Sequence, residues 1–338
     1  MASQPTETVL GGSVRWQASD GGGYCVSFSL GNKLTKSKYF GSTKFGTKEA
    51  ALREAENYRR TMSAKLGKTK TVTIPTILRP DVPIPDTVIE YTSGFLDGDG
   101  CVSVCKGRCR ARASIGFSQS SASGEPEVLR FLQSYYGGNI YHHHRSADNS
   151  AHRPSYDMRL PSDCVEPFVR QVLPRCVIKV PQVQLVLDYV TGRIGETVAM
   201  EQSKRLHAEY GKQVDLARDR ITPAYTAGIL DAEGCVMLDN GRVRVSIAQR
   251  CPEFLRALQS VYGGSVISPQ RDIKFYGPTA VSLLRAVEPF LHVKKEQVRL
   301  ALAYVDRYPT KSLTKRSVEQ MEDCAVATAS MKRLKHCT

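Results

Sequence analysis

The chain has 338 residues, with 47 Lys and Arg against 33 Asp and Glu, a formal net charge of +14. That length suits two or three domains, each with its own core. The charge makes a polyanion the expected partner, nucleic acid first and an anionic membrane surface second. No apolar run approaches the roughly 20 residues needed to cross a bilayer. The opening Met-Ala-Ser-Gln-Pro-Thr-Glu-Thr carries neither a signal nor a transit pattern, so an intracellular protein without a visible compartment address and without a membrane partner is expected.

Residues 11–66 read as a separate unit. Three alternating runs, Gly12-Ser-Val-Arg-Trp16, Tyr24-Cys-Val-Ser-Phe-Ser-Leu30 and Lys38-Tyr-Phe-Gly41, precede an Ala-rich helix starting at Thr47-Lys-Glu-Ala-Ala. The pattern predicts a small three-stranded sheet and one helix. It resembles the APETALA-two type of DNA-binding domain through its Val-Arg-Trp strand, its Lys-Tyr-Phe-Gly strand and its helix start. That resemblance implies Arg15, Trp16, Lys36, Lys38 and Lys44 as DNA contacts; the alternative is a small β-rich adaptor with a core Trp16. Residues 67–86 form a Pro-rich and stiff linker.

The rest of the chain is a duplication. Tyr91-Thr-Ser-Gly-Phe-Leu-Asp-Gly-Asp-Gly100 is matched by Tyr225-Thr-Ala-Gly-Ile-Leu-Asp-Ala-Glu-Gly234. Farther on, Leu129-Arg-Phe-Leu-Gln-Ser-Tyr-Tyr-Gly-Gly138 is matched by Leu255-Arg-Ala-Leu-Gln-Ser-Val-Tyr-Gly-Gly264, Val165-Glu-Pro-Phe168 by Val287-Glu-Pro-Phe290, and Lys179 to Val190 by Lys294 to Val305. The repeats span 87–190 and 222–305, with a linker over 191–221 and a helical, basic tail over 306–338. The first copy is the longer, and much of its excess falls around His142 to Asp157. His142-His143-His144 there reads as a polar surface loop.

Each motif reads as a helix. Pro85-Asp86 and Thr222-Pro223 supply start signals, and Gly100 and Gly234 stand where a left-handed cap is expected. Asp99 and Glu233 then sit at helix C-termini, where carbonyls and macrodipole already disfavour negative charge. A bound cation compensates. The carboxylates with the neighbouring carbonyls of Gly98 and Ala232 are hard oxygen donors suited to Mg²⁺ or Ca²⁺. Gly94 with Gly98, and Gly228 with Ala232, allow two such helices to pack backbone to backbone, which brings Asp99 beside Glu233. Paired carboxylates repel unless metal or protons intervene, and such a pair can hold the divalent ions that assist phosphodiester hydrolysis. An EF-hand fails, because the twelfth position is Arg108 or Arg242 instead of Glu. A zinc site at Cys101, Cys105 and Cys109 lacks the required spacing, and the ten Cys are expected as reduced thiols.

After each motif the period becomes two. Arg108, Arg110 and Arg112 alternate with Cys109, Ala111, Ala113, Ile115 and Phe117; after a hairpin turn at Asp239-Asn240-Gly241, Arg242 and Arg244 alternate with Val243, Val245 and Ile247. One face is core and the other basic, a face fit for reading base edges in the major groove. Arg271 and Lys274 join these as candidate DNA contacts. Gln119 and Gln249 close the strands on the core-facing parity, and Lys179 and Lys294 open matching amphipathic helices.

These residues closely resemble the LAGLIDADG homing endonucleases in their single-chain, two-motif form, over about residues 87 to 305. The resemblance implies an α+β fold of two pseudo-symmetric αββαββα repeats, with saddle-shaped antiparallel sheets over DNA and the motif helices at the interface. It implies a monomeric, Mg²⁺-dependent, site-specific endonuclease acting on double-stranded DNA in intron or intein homing and leaving short 3′ overhangs; Mn²⁺ or Ca²⁺ fits the same sites. Asp99 and Glu233 map to the metal ligands, and Gln119, Gln249, Lys179 and Lys294 to the near-site glutamines and lysines. A catalytically silent DNA-binding protein, or a maturase whose partner is intron RNA, is the alternative.

Overall fold

The computed structural model describes residues 13–17, 23–30, 33–66, 83–107, 110–121, 124–143, 155–210, 218–267, 271–309 and 317–337. The Pro-rich stretch over 67–82 and Arg108 lie outside them. The chain divides into two compact units, Met1–Ile74 and Pro75–Thr338.

In the first unit β1 (Ser13–Gln17), β2 (Gly23–Leu30) and β3 (Lys33–Gly41) form an antiparallel meander, followed by α1 (Ser42–Phe45) and α2 (Lys48–Leu66). Tyr24, Val26 and Phe40 are buried with Ala51 and Ala55 of α2, whose small side chains let helix and sheet approach closely. In the backbone register Trp16 pairs with Tyr24 and Tyr24 with Phe40; the side chains of Arg15, Trp16 and Lys36 lie outside the described residues. The Lys38 ammonium lies 4.6 Å from the centroid of the Tyr58 ring and 5.4 Å from that of Phe40, a cation–π seat. Lys44 lies 5.9 Å from the Phe45 ring.

The second unit holds both repeats. The first comprises α3 (Asp86–Asp99), β4 (Gly100–Lys106), β5 (Ala111–Ser120), α4 (Glu127–Tyr136), β6 (Asn139–His143), β7 (Ser155–Arg159), α5 (Ser162–Val172) and α6 (Val180–Val190). A connector follows with α7 (Glu196–Ala208). The second comprises α8 (Pro223–Glu233), β8 (Gly234–Asp239), β9 (Arg242–Ala248), α9 (Pro252–Tyr262), β10 (Ser265–Ile267), β11 (Asp272–Tyr276), α10 (Gly277–Val287) and α11 (Lys295–Arg307); α12 (Val318–Cys337) ends the chain. Each repeat builds one four-stranded antiparallel sheet, in the equivalent orders β4-β5-β7-β6 and β8-β9-β11-β10.

Alternation decides which sheet face is core. In β9, Val243, Val245 and Ile247 are buried while Arg242 is exposed and Arg244 half-buried; in β5, Ile115 and Phe117 are buried while Arg112 is exposed. Buried residues at helical spacing, Val128, Leu129 and Leu132 in α4 and Phe254, Leu255 and Leu258 in α9, cover that inner face. The repeated Gly-Gly after each of these helices is conformational: Gly137 and Gly138 have φ of 71° and 103°, Gly263 and Gly264 of 76° and 89°, values that favour glycine. Gln133 and Gln259 fix those turns through side-chain bonds to the carbonyls of Gly138 and Gly264, at 2.8 and 3.1 Å. Asn240 and Gly241 adopt φ of 48° and 64° at the β8–β9 hairpin, as a type I′ turn requires.

Two sequence expectations are corrected. Gly100 and Gly234 are not left-handed caps: their φ values are −78° and −88°, extended, and each opens a strand directly from the helix. Glycine is needed there for space, because a Cβ on Gly100 would stand 2.6 Å from the Leu96 carbonyl oxygen. His142 and His143 belong to β6 instead of a loop, and the His142 ring stacks 4.8 Å from that of Tyr156.

The connector and the tail are equivalent in a way their sequences hide. Helix α7 lies along β4, where Ser203 Oγ accepts from the Val104 N–H at 3.0 Å; α12 lies along β8, where Thr328 Oγ1 donates to the Leu238 carbonyl at 3.3 Å. Cys324 and Met331 bury the inner side of α12. Among the described residues no helix is long and apolar enough to cross a membrane.

Candidate active site

Helices α3 and α8 pack at backbone contact. A Cβ on Gly94 would overlap the Tyr225 carbonyl, one on Gly228 would overlap the Tyr91 carbonyl, and one on Gly98 would collide with the Ala232 side chain and lie 3.3 Å from Glu233 Cγ. This contact sets the C-terminal ends of both helices, Asp99 and Glu233, side by side.

The carboxyl of Asp99 is pushed up from 3.8 to about 6, first by burial and then by the charge of Glu233; the ammonium groups of Lys294 and Lys179 oppose the shift. An acid held there near neutrality is short of positive charge. Two carboxylates with helix-end carbonyls beside them are a hard-oxygen donor set, and that chemistry fits a divalent cation such as Mg²⁺. Among the described residues no group of three or more His, Cys, Asp or Glu side chains gathers to hold a metal, here or elsewhere, so a cation at this site relies on carbonyl oxygens beside the two carboxylates; Cys101 and Cys105 are free thiols.

Beneath these ends lies a second acidic pair that the sequence does not single out. Asp97 is fully buried, and its carboxylate accepts from the backbone N–H groups of Val177, Ile178 and Lys179 at 2.7, 2.9 and 2.8 Å. Asp231 accepts in the same way from His292, Val293 and Lys294 at 2.7, 3.0 and 2.8 Å. Each carboxylate thus holds the turn that leads into a helix of its own repeat, α6 or α11, near the positive end of that helix. Each also accepts across the interface, Asp97 from the Tyr225 hydroxyl at 2.7 Å and Asp231 from the Tyr91 hydroxyl at 2.8 Å. Burial, followed by the charge of the facing aspartate, pushes both phenols far up.

These contacts aim Lys179 and Lys294 back at the motif ends. The Lys179 ammonium donates to the carbonyls of Leu96, Gly98 and Gly100 at 2.7, 2.9 and 2.7 Å, and Lys294 donates to the Asp231 carbonyl. The helix-end carbonyls expected to be bare are therefore engaged in part by lysine, and Gly98 keeps one lone pair for a cation. Burial lowers the pKa of both lysines, against the pull of Asp97 on one and Asp231 on the other.

Gln249 is buried, its Oε1 accepting from the Arg250 N–H at 2.7 Å, while its Nε2 has no partner among the described residues. Gln119 is half-buried, opposite Tyr156. From the connector comes Tyr210, whose hydroxyl donates to the Asp97 carbonyl at 2.9 Å and whose ring centroid lies 5.4 Å from the Lys179 ammonium. No sequence signal marked Tyr210, which follows α7 in a polar stretch.

The expected basic residues are distributed over the outer sheet faces. Arg110, Arg112, Arg242 and Arg271 are exposed. Arg244 stands 3.7 Å from Asp239, and Lys274 3.4 Å from Asp272.

This unit has the two-repeat α+β fold of the LAGLIDADG homing endonucleases. It is similar to the LAGLIDADG homing endonuclease I-GzeII, solved in complex with its DNA target, with a TM-score of 0.52 at 10% identity over 71% of this chain and 96% of that one. I-SmaMI, bound to uncleaved DNA target in the presence of calcium ions, matches with a TM-score of 0.49 at 11% identity, over 72% of this chain and 98% of that chain. The meganuclease I-AabMI, bound to uncleaved DNA, matches at 0.42 and 16% identity, over 74% and 93%. No family model matches the sequence, and no curated protein is similar to it.

Proposed function

We propose that the chain is a site-specific endonuclease that cuts both strands of double-stranded DNA. The observation that carries this reading is the seating of Asp99 against Glu233 at the adjoining ends of α3 and α8, with the Asp99 carboxyl pushed up to about 6. Asp99, Glu233 and the carbonyls of Gly98 and Ala232 would hold divalent metal. When bound, Mg²⁺ supplies the charge that activates water and stabilises the leaving oxygen; Mn²⁺ and Ca²⁺ suit the same donors.

The chain's own groups do the rest. A buried donor without a partner requires an acceptor, and the Nε2 of Gln249 meets that need on a phosphate oxygen or the attacking water. Gln119 takes the corresponding place in the other repeat. Lys179 and Lys294 bring positive charge against the developing phosphate charge. Arg110, Arg112, Arg242, Arg244, Arg271 and Lys274 contact DNA from the sheets. The first unit serves as a second DNA module that lengthens the recognised site, with Arg15 among its contacts. Short 3′ overhangs, a role in homing and action as a monomer complete the proposal.

Incubation of the purified chain with a randomised duplex library and Mg²⁺, followed by sequencing of the ends, tests it. Recurrent short 3′ overhangs that vanish with Asp99→Asn support the reading; cutting that persists in that variant sinks the assigned centre.

A further inference from the structure

Two equivalent acids stand on the outer sheet faces, the side turned to a polyanion. Alternation fixes their direction: Tyr156 and Met158 of β7, and Ile273 and Phe275 of β11, are buried. Asp157 and Arg159, and Asp272 and Lys274, therefore take the opposite face. Strand register makes the two sets equivalent. In the first sheet one row runs Cys101, Gly116, Arg159, Asn139. In the second the row is Cys235, Ser246, Lys274, Ser265. Cys101 and Cys235 are each the second residue after a candidate metal ligand, and Asn139 and Ser265 each follow the Gly-Gly turn. An acid and a base two residues apart thus recur at one place in both sheets, with Asp157 3.5 Å from Arg159 and Asp272 3.4 Å from Lys274.

A carboxylate on that face is repelled by phosphate, and an ion pair at the surface contributes little stability. What it offers DNA is an acceptor. Asp157 takes a bond from Ser118 Oγ at 2.7 Å, and Asp272 Oδ1 has no donor among the described residues; an ionised carboxylate has room for about four donors. In the major groove cytosine presents its N4 amino group, and the guanine paired with it presents O6 and N7, which suit arginine or lysine. Adenine also has an amino group there, but its own N7 acceptor stands beside it and repels a carboxylate. The geometry points to a reading couple in each repeat, resting on the endonuclease reading: Asp157 with Arg159, and Asp272 with Lys274, each select one C·G pair of the target, the acid taking the cytosine amino group and the base the guanine edge. Because the pseudo-symmetry of the repeats relates the couples, the two C·G pairs stand at equal distances from the centre of the target, in inverted orientation.

The full-length protein is given a randomised duplex library, and the sequences bound in Ca²⁺ and the ends cut in Mg²⁺ are read separately. The wild type should select C·G at two positions equidistant from the centre. Asn reads adenine where Asp reads cytosine, so Asp157→Asn should shift the preference at one of these positions from cytosine to adenine, by roughly tenfold or more in relative binding. Asp272→Asn should do the same at the other position alone, and Arg159→Gln should relax the guanine preference at the first. A carboxylate that only braced its neighbour would lower the melting temperature or the overall affinity and leave the base profile as it was. No such pair of positions in the wild type, or a base profile unmoved in both Asn variants, overturns the inference, while selective cutting keeps the endonuclease reading standing. Selection of duplexes with both C·G pairs, without cutting, overturns the endonuclease reading and supports the couples. A folded wild type that selects and cuts nothing overturns both. If one Asn variant fails to fold, the other decides.

Discussion

The Tyr225 hydroxyl donates to Asp97 across the helix interface at 2.7 Å, and the same carboxylate holds three backbone N–H groups at the start of α6. One buried carboxylate therefore ties together the two motif helices and the segment that carries Lys179. Tyr91 and Asp231 repeat the arrangement with the repeats exchanged. Positioning of the candidate lysines and packing of the repeats are consequently one network.

That network predicts strong coupling. Tyr225→Phe should cost about 1.5–3 kcal/mol, as loss of a hydrogen bond to a charged group does, and Asp97→Asn at least as much. The double variant should cost clearly less than the sum of the two, with an interaction energy of about 1–3 kcal/mol. Urea unfolding of the four proteins measures this; additive costs would show that the bond contributes little.

The sequence reveals the duplication, the helix contact and the acids at the helix ends because each is written in local pattern: a repeated motif, small residues four apart, an acid before a glycine. Asp97 and Asp231 stand in the same motif, but their role is invisible locally, since their N–H partners lie 80 to 82 positions away for Asp97 and 61 to 63 for Asp231. The left-handed caps expected at Gly100 and Gly234 fail for a related reason. A glycine after a helix serves equally for positive φ or for close approach, and the Leu96 and Leu230 side chains and carbonyls decide for the second. Tyr210 and the equivalence of α7 with α12 depend on tertiary placement of stretches whose sequences do not match.

The glycines at the helix contact carry a separate expectation. Gly94→Ala and Gly228→Ala each drive a methyl into backbone of the opposite helix. Backbone cannot move aside as a side-chain tip does, so each should destabilise by about 3 kcal/mol, the upper end of overpacking costs. Gly195→Ala, where a Cβ meets nothing within 4 Å, is the control and should change stability by less than about 1 kcal/mol. Thermal melts of the three variants test the contact. Similar melting temperatures for all three would mean that α3 and α8 do not pack at backbone distance in solution.

The raised Asp99 carboxyl makes stability depend on pH and on metal. Its pKa is 3.8 ordinarily and about 6 in the folded protein, so the native state binds the proton more tightly than the unfolded chain. The resulting stabilisation is complete below pH 4 or so and is lost as pH rises through the window from about 4 to about 6. Above it, the charged carboxylate beside Glu233 is a net cost of up to about 3 kcal/mol. Asp99→Asn resembles the protonated form and lacks that cost. It should melt higher than the wild type near neutral pH without metal, and its advantage should disappear in mild acid. Mg²⁺ should raise the wild-type melting temperature near neutral pH by compensating that buried charge, and should do so far less for Asp99→Asn. Parallel pH profiles for the two proteins would show that neither burial nor Glu233 raises the Asp99 carboxyl, and with that the electrostatic demand for a cation between the helix ends would be gone.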